Sequence, residues 1–132
     1  METIAWLGIG FVSSFLLIQF ADKRTSHSRI NVLGYALIIA AIIYMVFAVL
    51  DFNLVWFGIE FIGVLIYGTF FYLAKRFGLL FLAIGWALHP IWDVVLHLLN
   101  VEVDFAPEWY AVMCISFDIT IAAYVIIKMR PK

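Results

Sequence analysis

Little in this chain is charged, and almost nothing in it can be cross-linked. Charged side chains make up 13% of its 132 residues, and there is one cysteine, Cys114. A single thiol excludes any intrachain disulfide, so the redox compartment cannot be read from it. There is no glycine-rich phosphate loop, no cysteine-rich metal motif and no Ser-His-Asp spacing. The start "METIAWLGIG" has no basic segment and "LLIQFADKR" has no small-residue cleavage site. A cleavable signal peptide is therefore not expected, and the first apolar segment should remain. The basic clusters are only as large as membrane topology requires, which gives nucleic-acid binding no support. Neither an internal repeat nor a low-complexity linker is present.

What is abundant is hydrocarbon. Hydrophobic residues make up 67% of the chain and the mean hydropathy is +1.11. A soluble domain of this size cannot hide that much apolar surface, so the expected class is an all-α, polytopic integral membrane bundle. A hydrocarbon core about 30 Å thick takes roughly 20 helical residues per crossing. The polar punctuation divides the chain at nearly that interval, predicting five spans over residues 3–21, 30–50, 54–74, 78–99 and 109–129. Short connections leave no room for a soluble domain, so residues 1–132 are expected to form one bundle.

Short loops rich in Lys and Arg stay on the cytoplasmic side. The basic residues are Lys23, Arg24, Arg29, Lys75, Arg76, Lys128, Arg130 and Lys132. Five alternating spans put all of them on one face, with Glu2, Asp51, Glu102, Asp104 and Glu108 opposite. The N-terminus is thus expected outside and the C-terminus in the cytoplasm. Pro107 and Glu108 suit the start of the last helix, and Trp56, Trp109 and Tyr110 the headgroup level.

Five ionisable groups remain inside the spans: Glu60, His89, Asp93, His97 and Asp118. Each is costly in lipid unless it meets a partner, so the expectation is one shared polar site. Counting inward at about 1.5 Å per residue puts Glu60 and Asp93 at roughly 10 Å, His89 and Asp118 at roughly 15 Å and His97 at about 5 Å. In "HPIWDVVLH", spacing by four stacks His89, Asp93 and His97 on one stripe, with Asp93 in the middle. Pro90 removes a backbone donor, so a kink beside the site is expected. Gly63, Gly85, Cys114 and Ala122 lie three or four residues from these groups and would let helices approach closely. Ser13 and Ser14 read as helix packing and His27 as solvated; Tyr35, Tyr44, Tyr67 and Tyr124 could line a cavity, but an aromatic fraction of 18% makes interface or lipid-facing positions the expectation.

Two patterns, HxxWDxxxH over His89–His97 and WYxxxCxxFDxxxAxY over Trp109–Tyr124, resemble an uncharacterised family of small bacterial membrane proteins, a domain of unknown function. The resemblance covers the last third of the chain well. It implies that His89, Trp92, Asp93, His97, Cys114 and Asp118 belong together, in a multi-pass protein of the bacterial cytoplasmic membrane. More distantly, the site is similar to that of alkaline-ceramidase-like hydrolases, which hold zinc on intramembrane His and Asp residues and cleave lipid amides. Those proteins have seven spans and a serine and histidine pattern that has no counterpart here.

Three function classes follow. In the first, Glu60, His89, Asp93, His97 and Asp118 hold zinc, iron or manganese, and the ion serves a hydrolase or oxidase acting on lipids. In the second, the same groups relay protons or a cation in a transporter or channel subunit, which at five spans would need a homo-oligomer. In the third, they form a structural network in an accessory protein.

Overall fold

The structure is a computed structural model that describes residues 2–98 and 108–129, with side chains over 3–25, 27–96 and 109–128. Among these residues the chain is all helical: α1 Glu2–Asp22, α2 Ser26–Leu50, α3 Leu54–Phe77, α4 Leu80–Asp93 and α5 Glu108–Met129. A π-helical turn, Val94–Leu98, extends α4. Four stretches are long and apolar enough to cross a membrane: Thr3–Asp22, His27–Leu50, Leu54–Phe77 and Trp109–Lys128. The apolar stretch Leu80–Leu96 is shorter. The connection before α5, with Glu102, Asp104 and Pro107, lies outside the described residues, as do Arg130 and Lys132.

Local chemistry explains where the helices begin and end. α2 starts four residues ahead of the expected Ile30 because Thr25 caps it, its hydroxyl accepting the Ser28 N–H at 3.3 Å. The polar stretch "DKRTSHSR" thus shrinks to a tight turn. Arg29 crosses that turn and donates to the carbonyls of Ala21, Asp22 and Arg24 at 3.1 to 3.2 Å, covering the open C-terminal end of α1. Between α2 and α3, Phe52 takes a left-handed conformation with φ 53° and the Asn53 side chain accepts the Trp56 N–H at 3.1 Å. α3 runs on to Phe77, past the expected end at residue 74, and stops at Gly78, whose φ of 122° suits only glycine.

The fourth helix departs most from expectation. Pro90 sits inside α4 and cannot donate to the Trp86 carbonyl. The helix nevertheless continues to Asp93, the Val94 N–H still being shared between the Pro90 and Ile91 carbonyls, and widens only in the turn that follows. The irregularity therefore lies on the C-terminal side of Asp93, in the π turn that carries His97.

α1 lies against α5, α5 against α4, α4 against α3 and α3 against α2. α1 and α5 run parallel: Trp6 stacks on Trp109 at 4.9 Å near one end, and Lys128 meets Asp22 at 2.6 Å near the other. Between those points the Ser116 hydroxyl donates to the Leu7 carbonyl at 2.7 Å. Gly10 makes this approach possible, since a Cβ there would collide with the Met113 carbonyl oxygen. The core joins Leu33 and Leu37 of α2, Tyr67 of α3, Leu82 and Trp86 of α4, and Ile121 of α5. Large apolar side chains such as Ile4, Leu16, Ile39 and Ile62 face outward, where only hydrocarbon covers them without cost.

Candidate metal centre

α4 carries His89 and Asp93 one turn apart on its inner face, and α5 brings Asp118 against them. All three side chains are fully buried. His89 Nδ1 is 2.6 Å from Asp118 Oδ2 and 3.6 Å from Asp93 Oδ2. One ligand atom from each residue lies within 4.8 Å of the others, so the group could hold a metal ion. Two features favour an ion over a closed network. Among the described residues, His89 Nε2, both Asp93 oxygens and Asp118 Oδ1 are buried and have no hydrogen-bond partner. Orphaned polar atoms at this depth are costly, and a cation would satisfy several at once. The donor set also fits: imidazole and carboxylate suit zinc, iron or manganese, and two carboxylates formally balance one divalent charge.

Aromatic rings wall the group. Tyr67 of α3 meets His89 edge-on at 5.0 Å and Tyr44 of α2 lies 6.4 Å from it. Trp86, one turn before Pro90, is completely buried. These rings exclude water and keep the local dielectric low, which strengthens every charge interaction inside.

The five residues expected to share a site are not equivalent. The depth match of His89 with Asp118 appears as the shortest contact of the group, and Asp93 adjoins it. Glu60 is buried as well but is not in that group of three. Its Oε1 accepts the Trp92 indole N–H at 3.4 Å, and Trp92 follows Pro90 by two residues on α4. Gly63 admits this indole, because a Cβ there would come within 2.8 Å of Trp92 Cζ2. The backbone of His97 belongs to the π turn, and its side chain lies outside the described residues.

Small residues act as expected elsewhere: Cys114 and Ala122 are buried, and a Cβ at Gly85 would press on Leu37 Cδ2 at 2.8 Å. Ser14 donates to the Phe11 carbonyl at 2.6 Å, a packing role. Tyr35 is exposed. Tyr124 donates to Asp22 at 2.9 Å. Tyr44 and Tyr67, by contrast, were expected at an interface or in lipid and instead line the centre. A signal for Tyr67 existed: the buried stripe Glu60, Gly63, Tyr67, Phe71, Ala74 on α3 follows helical spacing from the carboxylate.

No curated protein and no solved structure matches the chain. A family match, however, extends well beyond the last third that carries the two sequence patterns. The model of a family of unknown function, DUF6010, matches residues 1–131, and the chain belongs to that family.

Proposed function

We propose that this is a five-span membrane protein, N-terminus outside, whose role centres on a divalent metal ion held in the membrane by His89, Asp93 and Asp118. The setting that the sequence resemblance implies is the bacterial cytoplasmic membrane. One observation carries the metal reading: three buried ligand residues from two helices converge while four of their polar atoms have no hydrogen-bond partner among the described residues. Glu60, through Trp92, and His97, on the adjoining π turn, orient these ligands from outside the coordination sphere. Three protein ligands leave a coordination position for water or a substrate group, as in catalytic rather than structural zinc sites. Metal-dependent lipid chemistry is the matching activity, because only groups present in the bilayer reach this depth.

Metal analysis of detergent-purified wild type beside Asp93→Ala and Asp118→Ala tests the proposal. Stoichiometric zinc, iron or manganese is expected in the wild type and its loss in both variants. Wild-type protein that holds no metal, and takes none up on reconstitution, sinks it.

A second reading draws on the 2.6 Å contact of His89 with Asp118, a distance at which a proton is readily shared. In that reading the group relays protons or a cation through an assembly of at least two copies. Liposome flux that survives Asp93→Asn unchanged argues against it.

A further inference from the structure

α2 and α5 do not pack backbone to backbone. They meet through side chains near one end, where Tyr44 touches Tyr110 at 5.3 Å between ring centres. Below that contact a cavity of about 340 Å³ opens between them, with Leu17 of α1 also in its wall. This lies within the range of about 300 to 1,000 Å³ typical of small-molecule sites. Ala36, Ala40 and Ile43 form one wall and Met113 and Phe117 the other, with Tyr110 at one end and Asp118 at the other. Ile39, exposed at the rim, marks the side open to the bilayer. Two further cavities lie between α3 and α4 and between α4 and α5, and neither has a residue of the His89, Asp93, Asp118 group in its wall. Of these three cavities, the α2/α5 groove is the one with a residue of the centre, the buried Asp118, in its wall.

Its polarity and depth say what it takes. Apart from the Tyr110 hydroxyl, the Cys114 thiol and Asp118, the wall is hydrocarbon. Such a slot rejects headgroups and accepts alkyl chains. At about 1.5 Å per residue the groove runs along α5 from Tyr110, about 3 Å below the start of the helix, to Asp118 at about 15 Å, and along α2 from Ile43 at about 10 Å to Ala36 at about 21 Å below Leu50. Fifteen ångströms is the middle of a hydrocarbon core about 30 Å thick. A lipid whose carbonyls sit at the interface therefore has them near Tyr110 and its distal methylenes beside Asp118.

We propose that the α2/α5 groove binds one acyl chain of a bilayer phospholipid, carbonyl end at Tyr110 and distal end at Asp118, so that the centre meets the hydrocarbon chain rather than the ester. This rests on the reading of His89, Asp93 and Asp118 as an intramembrane functional site. It sets the protein apart from hydrolases that cleave a lipid amide or ester, since no carbonyl reaches the ligands in this pose.

The test uses the full chain reconstituted in phosphatidylcholine vesicles doped with one of two photoreactive phosphatidylcholines. One carries a diazirine near the carbonyl end of the chain, the other near its methyl end. Adducts are mapped by peptide mass spectrometry. The carbonyl-end probe should mark Ile43 and Tyr110, and the methyl-end probe Ala36 and Phe117. Both should exceed the labelling of Phe61 and Leu65, exposed on α3, and both should be lost in Ala40→Trp, which fills the groove. Labelling that is even over the exposed faces, or reversed in order, overturns the proposal, and the wild-type pattern decides this even if Ala40→Trp does not insert. Metal content of the same preparation reports on the centre separately. Groove labelling in metal-free protein upholds the groove and removes the metal, whereas even labelling in metal-loaded protein removes the groove alone.

Discussion

His89 Nδ1 lies 2.6 Å from Asp118 Oδ2, with both side chains shut away from solvent on neighbouring helices. The two residues are 29 apart in sequence, and each alone would be an uncompensated polar group in an apolar setting. Their contact ties α4 to α5, with Asp93 Oδ2 3.6 Å from the same His89 nitrogen.

Coupling between them should be measurable. Asp118→Leu leaves the His89 ring without its partner, and His89→Leu leaves Asp118 without its own. Each single change should cost about 1 to 3 kcal/mol. The double replacement should recover much of that loss, because removing both members of a buried pair restores an apolar core. Thermal unfolding of the four proteins in detergent gives the cycle. Strictly additive losses would mean that the pair is not energetically coupled.

The glycines of α1 offer an internal control. A Cβ at Gly8 meets nothing within 4 Å, whereas one at Gly10 would strike the Met113 carbonyl. Gly8→Ala should be neutral or stabilising by up to about 1 kcal/mol through helix propensity. Gly10→Ala should lower stability by about 1 to 3 kcal/mol, because α1 must retreat from α5. Equal midpoints for the two variants would show that α1 does not pack through Gly10.

Gly63→Ala acts at the centre instead. The added methyl presses on the Trp92 indole, whose N–H is bonded to Glu60. Lower metal content with the helical circular dichroism signal retained is the expected outcome. Unchanged metal content would mean that the Trp92–Glu60 pair does not support the metal ligands.

Orientation can be read by thiol labelling, since the native Cys114 is buried. Thr25→Cys, in the turn after α1, should react with a membrane-impermeant maleimide only after the cytoplasmic face is opened. Phe52→Cys, 92% exposed between α2 and α3, should react in intact cells or spheroplasts. The opposite pattern would invert the topology.

Much of the architecture was legible beforehand. The five helices lie where long apolar stretches are interrupted by polar ones, because hydrophobic length can be counted along the chain. His89 and Asp118 were matched by depth, which needs only a rise per residue and a common surface. The π turn at Val94 was not legible. Pro90 announced a disturbance, yet where the helix relaxes depends on how its neighbours hold it. Tyr44 and Tyr67 were misplaced for a related reason: in a chain this apolar, residues facing lipid and residues facing the core are chemically alike.

The sequence by itself determined that the chain is helical and apolar enough for a bilayer, that its basic residues segregate, and which ionisable groups would be costly there. These properties sum over local segments, so no knowledge of packing is needed to read them. Only the tertiary structure decided that Asp93 and Asp118 flank His89 while Glu60 turns to Trp92, and that α2 stands off from α5. Those outcomes depend on the shapes of helix faces in contact, with Gly10 and Gly63 opening two approaches and Tyr44 propping another, and shape complementarity between distant segments is not written in any one of them.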